Sequence, residues 1–281
     1  MRRASGVFAS RAAMVVAARW AALVASSWVA SVAFAAGAAQ PACGDAPADK
    51  PVYLTFDTGH MAVAPLIADV LRRHDVRVTF FLANERTKTE GTSLDDTWAP
   101  WWKARLAEGH AFGSHTYDHV YWAGDTPQGF RARPSAGPKA GVTTVMTADQ
   151  YCAELQRPAT RFRDMTGGTL AKVFRAPGGK TSPKLLAAAQ ACGWAHAGWS
   201  AAGFLGDELP SESHPNAELL ARALRDVRPG DILMAHLGIW SREDAWAPAV
   251  LEPLIEGLKA RGMCFATLRE HPAYRGQFGK G

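Results

Sequence analysis

Seven short apolar runs, separated by segments of helical periodicity, constrain this chain more than any single residue does. The runs are Val52 to Phe56, Val76 to Leu82, His110 to Ser114, Lys172 to Phe174, Trp194 to Gly198, Asp231 to Ala235 and Met263 to Thr267. The helical segments are Val63 to His74, Trp101 to Glu108, Ala148 to Met165, Pro183 to Cys192, Asn216 to Val227 and a last one ending at Arg261. Gly109, Gly193 and Gly262 each follow a helical segment and precede an apolar run, where a glycine commonly stops a helix. Strands alternating with helices in this way pair in parallel through crossover helices. The expected fold is α/β, a single domain of about seven parallel strands. With 281 residues, 48% of them hydrophobic, the chain can bury one large core.

The first 39 residues differ from the rest. They hold Arg2, Arg3, Arg11 and Arg19, no acidic residue, and an apolar stretch from Ala21 to Ala36, with Ala33, Ala35 and Ala36 offering A-x-A-like cleavage sites. That pattern reads as a secretory signal. The rival, an uncleaved membrane anchor, needs about 20 strongly apolar residues, and this run is shorter and rich in Ala. The expected organisation is a signal over 1–39, a linker over 40–50 and the α/β domain over 51–275. The protein is then secreted or periplasmic, with no stable membrane insertion after cleavage. Without the signal, 31 basic and 26 acidic residues become 27 and 26, so the basicity belongs to export and no nucleic-acid partner is indicated. Cys43, Cys152, Cys192 and Cys264 are even in number with no C-x-x-C spacing. In an oxidising compartment they read as two disulfides.

Polar residues fall at the carboxyl ends of the runs. Asp57 follows the first, His115 and His119 the third, and Arg175 closes the fourth; Asp207 lies after the fifth and His236 follows the sixth. In a closed parallel barrel those ends converge on one mouth, where such folds build active sites. His115 and His119 are four apart, and on a helical turn their Cβ atoms would lie roughly 5 to 6 Å apart, close enough to share one ion. Asp57-Thr58-Gly59 also reads as the D-T-G of an aspartic protease. That enzyme needs two such carboxylates sharing a proton, and the chain has no second D-T-G or D-S-G.

The T-F-D of Thr55 to Asp57, the H-T-x-x-H of His115 to His119, the R-A-P-G of Arg175 to Gly178 and the strand ending Met234-Ala235-His236 resemble, in order and spacing, the motifs of the polysaccharide deacetylase family. This is the NodB-homology or carbohydrate esterase family 4 domain, and the match covers roughly Pro51 to Leu268. The resemblance implies a distorted (β/α) barrel over 51–275 acting as the catalytic domain. It implies a divalent metal, zinc in many members, held by His115 and His119 with water in an open position. Asp57 becomes the general base, Arg175 its orienting cation, and His236 the acid that protonates the departing amine, with Asp207 raising its pKa. The implied partner is an N-acetylated glycan, and the products are acetate and a free amino sugar.

Two departures from the family pattern bear on the site. Members usually carry a second Asp directly after the base as third metal ligand, and Thr58 stands there. A neutral hydroxyl is a poor zinc ligand. Either Thr58 or His60 supplies the third contact, or the ion is held by two histidines and water, and Thr58→Asp is expected to tighten binding. The second departure is Trp199-Ser200-Ala201-Ala202, where many members have W-S-x-D. A subgroup resembling the peptidoglycan N-acetylmuramic acid deacetylases shares both, which makes peptidoglycan the first expected substrate. The rival function is a saccharide-binding relative that has lost turnover. Binding alone would need no base and acid at one mouth.

Trp122, Trp199 and Trp240 are candidates to line a saccharide cleft, although core packing accounts for single tryptophans as well. The stretch 124–145, rich in Gly, Pro and basic residues, reads as a long loop. Four cysteines allow three pairings. The strand order of such a barrel, with the seventh strand beside the first and its lead-in, favours Cys43 with Cys264 and Cys152 with Cys192.

Overall fold

The computed structural model describes residue 43 and residues 50–279. The expected signal segment and most of the linker lie outside the described residues. Among those described, no helix is long and apolar enough to cross a membrane.

In chain order the elements are β1 (Pro51–Asp57), α1 (Ala64–Arg73), β2 (Thr79–Leu82), α2 (Ala99–Ala107), β3 (Ala111–Ser114), β4 (Val120–Thr126), β5 (Gly129–Pro134), β6 (Thr144–Met146), α3 (Ala148–Thr166), β7 (Val173–Phe174), α4 (Pro183–Ala191), β8 (Ala195–His196), α5 (Asn216–Asp226), β9 (Ile232–His236), α6 (Leu251–Ala260) and β10 (Cys264–Phe265). All seven apolar runs become parallel strands of one curled sheet, ordered β10-β1-β2-β3-β7-β8 with β9 also on β1. Strands β7, β8 and β10 are only two residues long.

The barrel is distorted where β8 should meet β9. An irregular segment runs beside β9 instead: Ser200 N–H donates to the Ile232 carbonyl (3.0 Å), Ile232 N–H to Ser200 Oγ (3.0 Å) and Leu205 N–H to the Met234 carbonyl (3.3 Å). A strand so short cannot carry a ladder across the gap, and the Ser200 hydroxyl satisfies an amide that a neighbouring strand would otherwise take. The helices cover the sheet through apolar faces. Ile67, Val70 and Leu71 of α1 and Leu251, Leu254, Ile255 and Leu258 of α6 are buried in one core with Leu54, Phe80 and Trp102. Gly109, Gly193 and Gly262 follow α2, α4 and α6 with φ of 83°, 86° and 77°, the left-handed stop read from the sequence.

The stretch 124–145 departs from its expected loop character. It contributes to β4, β5 and β6, a separate three-stranded antiparallel sheet. Within β5, buried Phe130, Ala132 and Pro134 alternate with exposed Arg131 and Arg133, a period-two pattern that marks a one-sided sheet. Glycine, proline and arginine dilute that signal in sequence.

Both expected disulfides form. Cys43 pairs with Cys264 across 221 residues, and Cys152 of α3 pairs with Cys192 just after α4.

Candidate active site

Residue Asp57 ends β1 and is buried on all sides. Its neighbour on one flank is set by register, since Asp57 pairs with Phe81 of β2, and on the other flank it pairs with His236 of β9. Arg175 leaves the end of β7 fully buried, its Nη1 donating to Asp57 Oδ1 at 2.8 Å. The rest of the guanidinium is fixed by Ala197 O (Nε, 3.2 Å) and Gly198 O (Nη2, 3.1 Å) after β8, and it lies 4.3 Å from the Phe81 ring centroid. Burial alone would raise the Asp57 carboxyl. Arg175 foremost, then His115 and His236, reverse this and hold it below the usual range. Asp57 Oδ2 takes no hydrogen bond among the described residues and lies 3.6 Å from His115 Nε2.

His115 and His119 occupy a turn between β3 and β4, not the helical turn their spacing suggests. Thr116 and His119 have φ of 59° and 49°. The Val120 amide donates to Thr116 Oγ1 at 2.7 Å, so a side-chain bond supports a backbone path a helix would not take. The imidazoles still meet, with centroids 4.8 Å apart. His115 Nδ1 faces the Arg175 carbonyl at 2.9 Å. A carbonyl only accepts, so Nδ1 carries the proton and Nε2 is left with its lone pair. Burial, against the pull of Asp57, lowers the His115 value to about 4, and the ring is neutral near pH 7. His119 Nδ1 lies 2.5 Å from Ser135 Oγ, whose hydroxyl reaches the His119 carbonyl at 3.4 Å, again leaving Nε2. The β4–β5 hairpin brings Ser135 there: Val120 pairs with Pro134, which sets residue 135 opposite residue 119.

His236 is held by Asp207, which the structure brings beside it from the loop after β8. Its backbone N–H donates to Asp207 Oδ2 at 2.6 Å, and its Nδ1 lies 3.1 Å from the same oxygen. Burial opposes charging the ring, but Asp207, then Asp57 and Glu208, outweigh it and raise its value to about 10. His236 is therefore a cation near neutrality. Its Nε2 lies 3.9 Å from Glu208, a carboxyl whose own value burial pushes up.

Neither sequence candidate for a third metal contact points into this cleft. Thr58 Oγ1 donates to Glu85 Oε2 at 2.6 Å and accepts the Ala83 amide at 3.1 Å. His60 faces a neighbouring cavity, its Nδ1 accepting the Ala62 amide. A Cβ on Gly238 would lie 2.3 Å from His60 Cε1, and one on Gly59 would lie 2.2 Å from the Gly238 carbonyl oxygen, so the His60 backbone and ring are packed against the loop after β9. Glu85, which sequence reading passed over, is the unforeseen member. Its Oε2 accepts from Thr58 and from the Gly59 amide, each at 2.6 Å. Burial would raise its carboxyl, and His119 first, with Thr58 and His115, brings it below the usual range. The signal available in sequence was a carboxylate three residues past the second strand run.

Asp57, Glu85, His115, His119 and His236 line one cleft of about 310 Å³ with Trp199 and Trp240 on its walls. Trp240 is 59% exposed. Trp122, the third tryptophan candidate, turns away to bond Asp125 through Nε1, and its neighbour Tyr121 faces the cleft, because successive strand residues point to opposite faces. The two Nε2 atoms with tied Nδ1 partners are a donor set suited to a divalent ion of borderline softness.

A parallel α/β barrel with a carboxylate, a cationic imidazole and two further imidazoles in one mouth has the features of a hydrolase. The sequence matches the polysaccharide deacetylase family model over residues 44–197, and the chain belongs to that family of deacetylase hydrolases. A chitooligosaccharide deacetylase from Azorhizobium caulinodans is 27% identical over 229 residues, covering 77% of this chain and 92% of the relative. The peptidoglycan-N-acetylmuramic acid deacetylase PdaA of Bacillus subtilis is 26% identical over 221 residues, covering 78% and 71%. The fold is shared with a family 4 acetyl xylan esterase from Clostridium thermocellum solved with a cobalt ion, at a TM-score of 0.61 and 24% identity, covering 81% and 92%.

Proposed function

We propose that this chain is an exported, divalent-metal-dependent deacetylase that removes N-acetyl groups from amino sugars, with peptidoglycan as its first substrate. The observation that carries the reading is the pairing of an ionised Asp57 with a cationic His236 across the cleft that also holds His115 and His119. Arg175 occupies Asp57 Oδ1 and leaves Oδ2 to take a proton from water as the water oxygen attacks the acetamide carbon. Asp207 occupies His236 Nδ1, so Nε2–H gives its proton to the sugar nitrogen as the C–N bond breaks. The balance is one water consumed, with acetate and a free amine released. A divalent ion at His115 and His119 would supply Lewis-acid polarisation in this cleft. The cobalt ion reported for the C. thermocellum esterase supports a metal role, and zinc is the expected metal here.

Export rests on the Arg-bearing apolar N-terminus read above and on the two disulfides. Trp199 and Trp240 offer flat faces for a sugar ring. Peptidoglycan is favoured by the Thr58 and Trp199-Ser200-Ala201-Ala202 departures and by the likeness to PdaA; the A. caulinodans relative supports a second reading, a chitin-like oligomer. Mass spectrometry of glycans after incubation separates them. Free amines on muramic residues are expected. Deacetylation confined to chitin oligomers would overturn the substrate, and glycan retention without acetate would overturn the enzyme reading in favour of a binding protein.

A further inference from the structure

Most charges lining the cleft are matched within the protein. Arg175 holds Asp57, Asp207 holds His236, and Thr58 with the Gly59 amide holds Glu85. Arg86 differs: among the described residues its guanidinium forms no ion pair and donates no hydrogen bond, yet it lines the same cleft and is exposed. The backbone beneath it is fixed. Ser93 N–H donates to the Glu85 carbonyl at 2.8 Å, Arg86 bridges Thr92 in antiparallel fashion, and the Thr87 amide donates to the Gly91 carbonyl at 3.1 Å. Thr87 is buried, and the Lys88 amide donates to the His60 carbonyl at 2.9 Å. Residues 85–88 therefore form a pinned rim from which the Arg86 side chain stands free. Lys88, also without a carboxylate partner among the described residues, places Nζ 5.8 Å from the Trp240 ring centroid. The same cleft carries the carboxylates of Asp57, Glu85 and Glu208, so an anionic substituent entering it is repelled unless a cation meets it.

We propose that Arg86 selects an acidic sugar by binding the carboxylate that a muramic residue carries through an ether on the carbon next to its acetamide-bearing carbon, with Lys88 adding attraction from the same rim. The inference rests on the amino-sugar deacetylase reading above and deepens it. A guanidinium presents paired N–H groups that match the two oxygens of a carboxylate. A chitin-type sugar has only a neutral hydroxyl at that carbon. With the acetamide between Asp57 and His236, the acidic substituent starts one ring carbon away and remains within a cleft of about 310 Å³.

The test compares kcat/KM, by acetate release, for three oligosaccharides of equal length. One alternates N-acetylglucosamine with N-acetylmuramic acid bearing free carboxyls, the second is the same oligomer with those carboxyls converted to methylamides, and the third is a chitin oligomer. The parent is expected to favour the free acid over the methylamide at least about 10-fold. Arg86→Gln removes the charge and should lower kcat/KM for the free acid at least about 10-fold more than for either neutral oligomer, chiefly through KM. Arg86→Lys keeps a charge without the planar fork and should recover part of the preference. Lys88→Gln should reduce the preference less, with the difference fading as salt is added. A parent with no preference for the free acid, a preference that survives intact in Arg86→Gln, or equal losses on all three oligomers would overturn the assignment and leave the deacetylase reading standing. Acetate released from none of the three would overturn the deacetylase reading itself.

Discussion

Asp57 and His236 are direct register partners at the carboxyl ends of β1 and β9. The ladder between the two strands runs unbroken from Tyr53 and Ile232 to this last pair, so backbone hydrogen bonds fix the separation of a carboxylate and an imidazolium. Parallel strands put their carboxyl ends on one side. That is why a base and an acid 179 positions apart in sequence become neighbours without a dedicated loop.

The pair's removal should be severe on either side. Asp57→Asn keeps the shape and loses the proton acceptor, while His236→Ala loses the donor; each is expected to lower turnover at least about 100-fold. Acetate release under saturating glycan measures it. Near-parent turnover in either variant would remove that residue from the mechanism.

The elevated His236 value sets a pH dependence. The ring titrates near 6.5 when unperturbed and at about 10 in the folded chain, so folding favours its protonated form. The resulting stabilisation is fully present below about pH 6.5 and is lost as pH rises through about 10. Turnover should fall on the same alkaline side, as the acid loses its proton. Asp207→Asn removes the charge that raises the value most against burial, and it should move the alkaline limb to lower pH. A limb that stays in place in that variant would mean another group controls it.

Arg175 and Asp57 form a buried ion pair, with side chains 0% and 3% exposed. Arg175→Met would leave the carboxylate buried without its partner and is expected to cost about 3–5 kcal/mol in urea unfolding. Arg175→Lys keeps a charge but cannot reproduce contacts to Asp57, Ala197 and Gly198 from one planar group. Its expected signature is a lower kcat with a smaller loss of stability. Equal stability losses in the two variants would contradict the role given to the planar fork.

Much of this arrangement is legible in the sequence. Apolar runs alternating with helical segments report burial on both faces of a parallel strand, and that signal survived even for β7 and β8, two residues long. Asp57, His115, Arg175 and His236 could be placed because each stands at the end of such a run. The hairpin of β4 and β5 was missed because half of its residues face solvent. Glu85 was missed for a different reason: it reaches the cleft through a hydrogen bond from Thr58, and a side-chain contact between residues 27 apart has no periodicity to betray it. The left-handed turn at Thr116 and His119 was equally hidden, since neither residue type requires positive φ.

The disulfides offer a test of compartment and of stability together. Cys43 and Cys264 close a loop of 221 residues and Cys152 and Cys192 one of 40. Crosslinks of this kind restrict the unfolded chain, and each is expected to contribute about 2–4 kcal/mol. Urea unfolding with and without reductant should show a clear loss of midpoint. Peptide mapping that finds four free thiols in protein from its native compartment would count against export.

The last prediction concerns Ser135, a residue contributed by the hairpin and not by the barrel. Its hydroxyl sits 2.5 Å from His119 Nδ1 and fixes both the orientation and the tautomer that leave Nε2 free. Outer partners of this kind typically account for 10- to 100-fold in metal affinity. Ser135→Ala is therefore expected to weaken zinc binding by about that factor, measured by calorimetric titration, while the metal-free melt changes little because the bond lies at the rim of the barrel. Ser135→Thr retains the hydroxyl and should recover most of the affinity. If Ser135→Ala binds zinc like the parent, His119 is oriented by its backbone alone, and the antiparallel sheet would be left with its contribution of Tyr121 to the cleft wall.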